Sequence, residues 1–153
     1  MNECWNFFRY ASSEDIPEIM EIVRSNKKWF SHLTDKHFEE KINRKQCIYE
    51  SGVLITFKFT TNVTKIGDFA VPKGNTILEQ IAKKKSFSKN SFAEHVFTKF
   101  LNCSTGELYL AVNVKNERAI NFYRKMKMYI ISNTKLDNSL KDGFIFKSKK
   151  LKN

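Results

Sequence analysis

The chain contains few of the residues that interrupt or cross-link a fold. Its 153 residues include two prolines and five glycines, and no Pro/Gly-rich linker divides them. The three cysteines, Cys4, Cys47 and Cys103, are far apart and form no C-x-x-C pair. We therefore expect buried free thiols rather than a metal site or a disulfide framework. Since soluble domains commonly hold roughly 100–200 residues, we expect one domain over residues 1–153.

Features that direct a chain to a membrane are also absent from the sequence. No apolar run approaches the roughly 18 residues that a membrane-spanning helix needs. The first residues, Met1-Asn-Glu-Cys-Trp, have neither a basic start nor an apolar signal core. We therefore expect a cytoplasmic protein with no membrane partner.

Positive charge is concentrated in the second half of the chain. Residues 1–72 carry ten basic and ten acidic side chains, whereas residues 73–153 carry seventeen basic and six acidic ones. This asymmetry favours an anionic partner, such as a phosphorylated cofactor, a nucleic acid or an acidic protein. However, lysine outnumbers arginine by 22 to 5, and arginine is the residue that suits phosphates and guanine edges best. The charge alone leaves a functional surface and a compositional bias both open.

Hydrophobic periodicity predicts helices first and a hairpin next. The aromatic run at 5–10 favours a strand, and apolar residues at helical spacing predict helices over 12–25 and 34–45. From 47 to 59 the period changes to two, and Ser51-Gly52 marks a hairpin turn between two strands. The segment 62–75 is predicted to be a loop or a broken strand.

The second half is predicted to consist of strand-helix-strand units. The predicted elements are strand 76–82, helix 91–101, strand 107–112, helix 117–127, strand 128–133 and strand 144–147. The complete predicted order is β-α-α-β-β-β-α-β-α-β-β. Such an order implies an α/β fold with a mixed sheet covered by helices.

The most specific pattern lies in 108–132, which contains a buried strand, a short loop, an amphipathic helix and a further strand. Asn116, Ala119, Phe122 and Tyr123 fall at fixed offsets after the first of these strands. This arrangement resembles the late signature of the GNAT superfamily of acyl-CoA-dependent N-acyltransferases. The predicted order of elements is similar to the GNAT fold across nearly the whole chain.

The resemblance implies an acyl-CoA site between the fourth and fifth predicted strands, which splay apart in that family. The pantetheine arm of the cofactor would pair with exposed strand backbone, and its pyrophosphate would meet the loop and helix N-terminus that follow the fourth strand. The implied cofactor-binding residues are Ile81, Ala82, Ser88, Lys89, Ser91, Phe92, Ala93, Asn116 and Ala119.

The segment that matches the family's phosphate loop departs from its Gln/Arg-x-x-Gly-x-Gly/Ala pattern. Phe92 and Ala93 fit, but Ser88 and Ser91 replace a long polar residue and a glycine. Ser91 and Glu94 also form a capping-box sequence, so an ordinary capped helix is the alternative. The lysines at 83, 84, 85 and 89 would supply positive charge to the phosphates.

The resemblance also implies roles in catalysis. Tyr123 matches a tyrosine that protonates the departing CoA thiolate, a role that a neutral phenol can perform. Asn116 would position the cofactor or its loop, Ala119 would let the helix pack closely, and Phe122 would lie in the core. Glu79 is the only carboxylate on the fourth predicted strand and is our candidate base for the acceptor amine. The alternatives are a half-buried aromatic at Tyr123 and an exposed strand glutamate at Glu79.

Two functions follow from these residues. The first is an N-acetyltransferase that moves an acetyl or other small acyl group from acyl-CoA to an amine acceptor by direct attack in a ternary complex. The second is a GNAT-like binding module with reduced cofactor use, which binds nucleic acid or a protein partner through residues 73–153.

Overall fold

The computed structural model describes residues 3–85, 90–136 and 141–149, with only the backbone described at Asn90 and Ser91. Within these ranges, 3-10 helices lie at Glu3–Phe7 and Ser13–Asp15. The α-helices are α1 (Ile16–Ser25), α2 (Lys27–Phe30), α3 (Asp35–Asn43), α4 (Asn90–Cys103) and α5 (Glu117–Lys125). The strands are β1 (Cys47–Glu50), β2 (Val53–Phe59), β3 (Thr64–Ile66), β4 (Phe69–Val71), β5 (Thr76–Lys83), β6 (Leu108–Asn113), β7 (Tyr129–Leu136) and β8 (Lys141–Lys147). No helix in the described part of the chain is long and apolar enough to cross a membrane.

Six strands form a mixed sheet in the order β1-β2-β5-β6-β8-β7, and β3 and β4 form a separate two-stranded sheet. The pairs β1-β2, β6-β8 and β7-β8 are antiparallel. Strands β5 and β6 are parallel, because helix α4 connects them and returns the chain to the same end of the sheet. The predicted fold class, a mixed α/β sheet of the GNAT type, is confirmed.

One predicted element differs from the structure. The aromatic run at 5–10 was predicted to be the first strand, but Glu3–Phe7 is a 3-10 helix and only Tyr10 makes an isolated antiparallel bridge, to Ile48. Local periodicity missed this helix because the tertiary contacts of Trp5 determine the conformation of that segment. The segment 62–75, predicted to be a loop or a broken strand, contains the short strands of the β3-β4 hairpin, whose turn is Gly67-Asp68.

The chain divides into two compact units, and each is described by itself. The first comprises Met1–Phe57 and Gln80–Cys103, and the second Lys58–Glu79 and Ser104–Asn153.

The first unit has an aliphatic core where helices α1 and α3 meet strands β1 and β2. Ile19 and Ile22 of α1, Phe38 of α3 and Leu54 of β2 are almost completely buried in it. These helices begin at defined residues: Pro17 occupies the first turn of α1, and the Thr34 hydroxyl accepts a hydrogen bond from His37 N at 3.3 Å to cap α3.

An aromatic cluster around Trp5 forms a further part of the first unit's core. The Trp5 ring stacks on Phe57 with centroids 5.1 Å apart, and Phe100 of α4 meets the same indole edge-on at 5.7 Å. A disulfide joins Cys4 to Cys103, the last residue of α4. The expectation of free thiols is therefore wrong for these two cysteines, because the fold brings together positions that the sequence separates. It is confirmed for Cys47, which is free and buried.

The second unit packs the β3-β4 hairpin against its own strands. Val71, Ile77, Tyr109 and Ile145 form a buried apolar cluster there. The hairpin tip is held at the edge strand β7, where Asp68 N donates to Thr134 Oγ1 at 2.9 Å. These contacts hold the β3-β4 hairpin against β6, β7 and β8.

Candidate functional site

Strand β5 changes character along its length. Thr76, Ile77 and Leu78 are buried, whereas every residue from 79 to 83 is half-buried. Its parallel pairing with β6 comprises Thr76 with Leu108 and Ile77 with Tyr109, although β5 continues to Lys83. Strands of a parallel sheet are normally covered on both faces, whereas antiparallel strands can face water on one side. The second half of β5, beyond its parallel pairs with β6, is partly accessible.

Glu79, the predicted base, stands at the start of this accessible segment. Its side chain is 20% exposed, and Lys58 Nζ of β2 lies 4.0 Å from its Oε2. Both residues belong to the second unit. This ion pair joins β2 to β5.

Ile81 and Ala82, the predicted strand contacts of the cofactor, are both half-buried. Ala82 packs against the aliphatic core of the first unit. Ala82 therefore connects β5 to the core that α1 and α3 form with β1 and β2.

A polar cluster next to Glu79 was missed by the sequence analysis. Gln80 Oε1 accepts a hydrogen bond from the buried Thr56 hydroxyl, and His37 Nε2 lies 3.4 Å from the same oxygen. The only available signal was the position of Gln80 on the fourth predicted strand, because His37 and Thr56 come from elements distant in sequence. The cluster fixes the side-chain amide of Gln80 through its oxygen.

Tyr123, the predicted acid, is buried on α5 in the second unit. Its ring centroid lies 5.6 Å from that of Phe146 and 5.8 Å from that of Phe122. Burial raises the pKa of its phenol above the ordinary value of 10.0. The hydroxyl therefore stays protonated at physiological pH, as a proton donor must.

Asn116 and Ala119 lie together at the N-terminus of α5. Asn116 is the N-cap of this helix, and its Oδ1 accepts a hydrogen bond from Ala119 N at 3.3 Å. A cap of this type satisfies one of the open N–H groups of the first turn. The two residues therefore have a structural role in the second unit, whether or not they touch a cofactor.

The predicted phosphate loop is described only in part. Ser88 and Lys89 lie outside the described residues, as does the side chain of Ser91, so its predicted capping box with Glu94 lies outside them too. On α4, Phe92 is exposed and Ala93 is buried. Phe92 is thus a partly exposed apolar ring near the start of this helix.

Lys84, one of the basic residues expected near the phosphates, is paired within the first unit. Its Nζ lies 2.6 Å from Glu18 Oε1, and this hydrogen bond raises the pKa of the lysine. Glu18 Oε2 also accepts a hydrogen bond from the Tyr49 hydroxyl at 3.1 Å. Burial, and then this bond to Glu18, raises the pKa of Tyr49 to about 12.

The first unit contains a pocket of about 240 Å³ around these residues. Its lining residues are Arg9, Asp15, Glu18, Tyr49, Ser51, Gly52 and Lys84. The two cations and two anions pair with one another, since Arg9 Nη2 also lies 3.0 Å from Asp15 Oδ1. The pocket is therefore an internally neutralised polar network that ties the N-terminal segment to α1 and the β1-β2 turn.

Among the described residues, no group of three or more histidine, cysteine, aspartate and glutamate side chains could hold a metal ion.

Comparison with known proteins gives matches in structure and none in sequence. No family model matches the chain, and no curated protein matches it. A GNAT-family acetyltransferase from Bacillus cereus is 18% identical with a TM-score of 0.69, over 94% of this chain and 96% of that one. Naa20 of Chaetomium thermophilum, solved with a bisubstrate analogue, is 10% identical with a TM-score of 0.73, over 92% and 84% of the two chains. The NatB acetyltransferase complex bound to CoA and MES is 11% identical with a TM-score of 0.70, over 92% and 97%.

These structures cover nearly the whole chain at identities that establish the fold alone. Their fold matches the mixed α/β sheet described above. The resemblance indicated by 108–132 is confirmed: this chain has the fold of the GNAT acetyltransferases.

Proposed function

We propose that this protein is an N-acyltransferase that moves an acetyl or other small acyl group from acyl-CoA to an amine acceptor. The observation that carries the proposal is the half-buried segment 79–83 of β5, in the interior of a sheet. One structure of the same fold, the NatB complex, was solved bound to CoA. From the exposure of segment 79–83 and the CoA bound in a structure of the same fold, we infer that acyl-CoA lies along this segment of β5.

The shape of β5 supports this fit. Five strand residues extend about 16 Å at roughly 3.3 Å per residue, which suits an extended pantetheine arm. An extended ligand binds such a strand by main-chain hydrogen bonds, as in strand addition. Ile81 and Ala82 would provide this backbone. Acyl-CoA would supply an activated thioester carbonyl.

The residues of the second unit provide the proton transfers that the reaction needs. An amine attacks a carbonyl only when it is neutral, so a base must take its proton. Glu79 accepts this proton directly or through one water molecule, and Lys58 Nζ lies 4.0 Å from its carboxylate. Tyr123 donates its phenolic proton to the leaving sulfur, since a neutral phenol carries that proton until a thiolate forms. The attack is direct, in a ternary complex, with no covalent enzyme adduct.

The remaining predicted cofactor residues stay predictions. Phe92 and Ala93 lie on α4 of the first unit, and Asn116 and Ala119 on α5 of the second. Ser88 and Lys89 lie outside the described residues, and Ser91 lies on α4 with only its backbone described. The single domain, the cytoplasmic location and the amine-bearing acceptor likewise remain predictions, and the acceptor's identity is open.

An acetyl-transfer assay tests the proposal. The protein is incubated with acetyl-CoA and a panel of amines, namely peptides with free N-termini, lysine peptides and polyamines. Thiol release and acetylated product are followed together, the product by mass spectrometry. We expect Tyr123→Phe to lower kcat by about 10²–10⁴, whereas Tyr129→Phe, the same change at an exposed tyrosine of β7, leaves it unchanged. Product from none of these amines, or equal activity of the two variants, contradicts the proposed roles.

A further inference from the structure

The solvent-facing side of helix α5 carries a row of cations. Lys115, Arg118, Arg124 and Lys127 are all exposed on or beside this helix. They include two of the five arginines in the whole chain. We propose that this surface, here called the α5 basic face, binds the phosphodiester backbone of a nucleic acid. This binding is separate from acyl transfer.

Helical geometry places the two arginines at the edges of the exposed side of α5. Residues three apart on an α-helix are neighbours, so Arg118, Asn121 and Arg124 form a row that winds by about 120° around the axis at 3.6 residues per turn. All three are exposed, whereas Ile120 and Tyr123 on the opposite side are buried. Arg118 and Arg124 lie about 9 Å apart along the axis at roughly 1.5 Å per residue. Each can therefore reach a different phosphate.

No described partner within the protein neutralises these cations. None of the four residues of the α5 basic face forms an ion pair with a carboxylate among the described residues. Other exposed cations do, for example Lys135 with Asp142. The second unit as a whole carries 14 basic and 6 acidic residues. The α5 basic face therefore lies in a field that attracts anions.

The helix dipole favours only two of the four cations of the α5 basic face. Arg124 and Lys127 lie at the C-terminal end of α5, where the dipole favours cations. Lys115 and Arg118 lie at the N-terminal end, where it disfavours them, and on this helix Glu117 is the one acidic residue that offsets them. Cations placed against the dipole are explained by an anionic ligand that contacts both ends.

The chemistry of the face favours a nucleic acid over a membrane or a protein. A helix that inserts into a lipid interface needs an exposed apolar side, and the centre of a protein interface is enriched in aromatic residues. The row from Arg118 to Arg124 contains only Asn121 between its arginines. Arginine forks and an amide suit phosphate oxygens, so backbone contacts with little sequence preference are expected.

Fluorescence polarisation with labelled 20-nucleotide single-stranded RNA tests this proposal, with duplex DNA of equal length as a second probe. The variant is Arg118→Glu with Arg124→Glu, and Arg118→Gln with Arg124→Gln removes the charge without reversing it. The matched control is Arg24→Glu with Arg44→Glu, which changes two other exposed arginines and alters the net charge equally. Circular dichroism confirms that each variant is folded.

We expect wild-type protein to bind at low salt and the Glu variant to bind at least tenfold more weakly. The Gln variant should reduce the slope of log affinity against log salt by about 1.4, since each single-strand phosphate contact contributes roughly 0.7. The control should change affinity less than twofold. No binding at 50 mM salt, or equal losses in the variant and the control, overturns the proposal. Equal affinity for a polyglutamate peptide of the same charge overturns the assignment to nucleic acid.

Discussion

Cys4 and Cys103 are joined by a disulfide that closes a sequence separation of 99 residues, with their Cα atoms 5.6 Å apart. The bond fastens the 3-10 helix Glu3–Phe7 to the end of α4. The same segment inserts Trp5 between Phe57 and Phe100. The N-terminal segment is therefore held by a covalent bond and by aromatic packing, both within the first unit.

Reduction of this disulfide should lower the free energy of unfolding by about 2–5 kcal/mol. A cross-link restricts the unfolded chain, and its effect is large for a loop of about 100 residues. Urea unfolding with and without a phosphine reductant measures the difference. The double variant Cys4→Ala with Cys103→Ala should unfold at the same urea concentration as the reduced wild-type protein. The reductant should not change its midpoint. Equal midpoints for oxidised and reduced wild-type protein would contradict the bond.

Cys47 should be the single titratable thiol of the oxidised protein and should react slowly while the fold is intact. Burial raises the pKa of its thiol to about 12, so very little thiolate exists at pH 8. Counting with Ellman's reagent should give one thiol in urea and three after reduction in urea. Fast native labelling at pH 8 would mean that this strand residue is accessible.

The Arg9–Asp15 pair should make stability sensitive to acid. Burial alone would raise the pKa of Asp15, but hydrogen bonds from Arg9 and Ser12 outweigh it and hold that pKa below 3.8. A carboxyl with a lowered folded pKa stabilises the fold above its unfolded pKa, and the contribution disappears as pH falls through the folded value. Asp15→Asn should cost about 1 kcal/mol at pH 7.

Urea unfolding between pH 7 and pH 2.5 measures this effect. The difference between wild-type protein and Asp15→Asn should shrink below about pH 4. Asp35→Asn, on the exposed first turn of α3, controls for the loss of one negative charge. If the difference in unfolding free energy stayed constant down to pH 2.5, the Arg9–Asp15 ion pair would not be the cause of the acid sensitivity.

Gly67→Ala should destabilise the second unit by about 1–3 kcal/mol. Gly67 has φ +62°, and a Cβ there would collide with the backbone of Lys135 and the hydroxyl of Thr134. Gly74→Ala is the matched control, because Gly74 also has positive φ, at +88°, but open space around it. Both variants place alanine at a positive φ, but only Gly67→Ala adds a steric collision. The difference between their thermal unfolding midpoints therefore measures the effect of the collision. Equal losses would show that the hairpin tip is not packed against β7.

Much of the fold could be predicted because its signals are local. The helical spacing of Ile16 to Val23, the Thr34 cap and the Ser51-Gly52 turn all reappear in the structure. The Ile66-Gly67-Asp68-Phe69 hairpin also had a local signal, a two-residue turn containing glycine between β-forming residues. The 3-10 helix at Glu3–Phe7 had no such signal, because its cause is the disulfide and the Trp5 cluster.

The candidate site was less predictable than the fold. Tyr123 and Glu79 could be selected from their places in a motif and a strand, and the structure places both in the second unit. The contact of Gln80 with Thr56 and His37 could not, since it joins three elements whose distances along the chain carry no pattern. The pairing of Lys84 with Glu18 was equally invisible, because a run of lysines gives no indication of which carboxylate each one meets.

The central claim is that acyl-CoA binds along the accessible half of β5. Calorimetric titration of the folded protein with acetyl-CoA tests it without knowledge of the acceptor. We predict saturable binding at micromolar to submillimolar concentrations, retained in Tyr123→Phe because that variant changes only the proton donor. Absence of binding at millimolar acetyl-CoA, with circular dichroism showing an intact fold, would contradict the account.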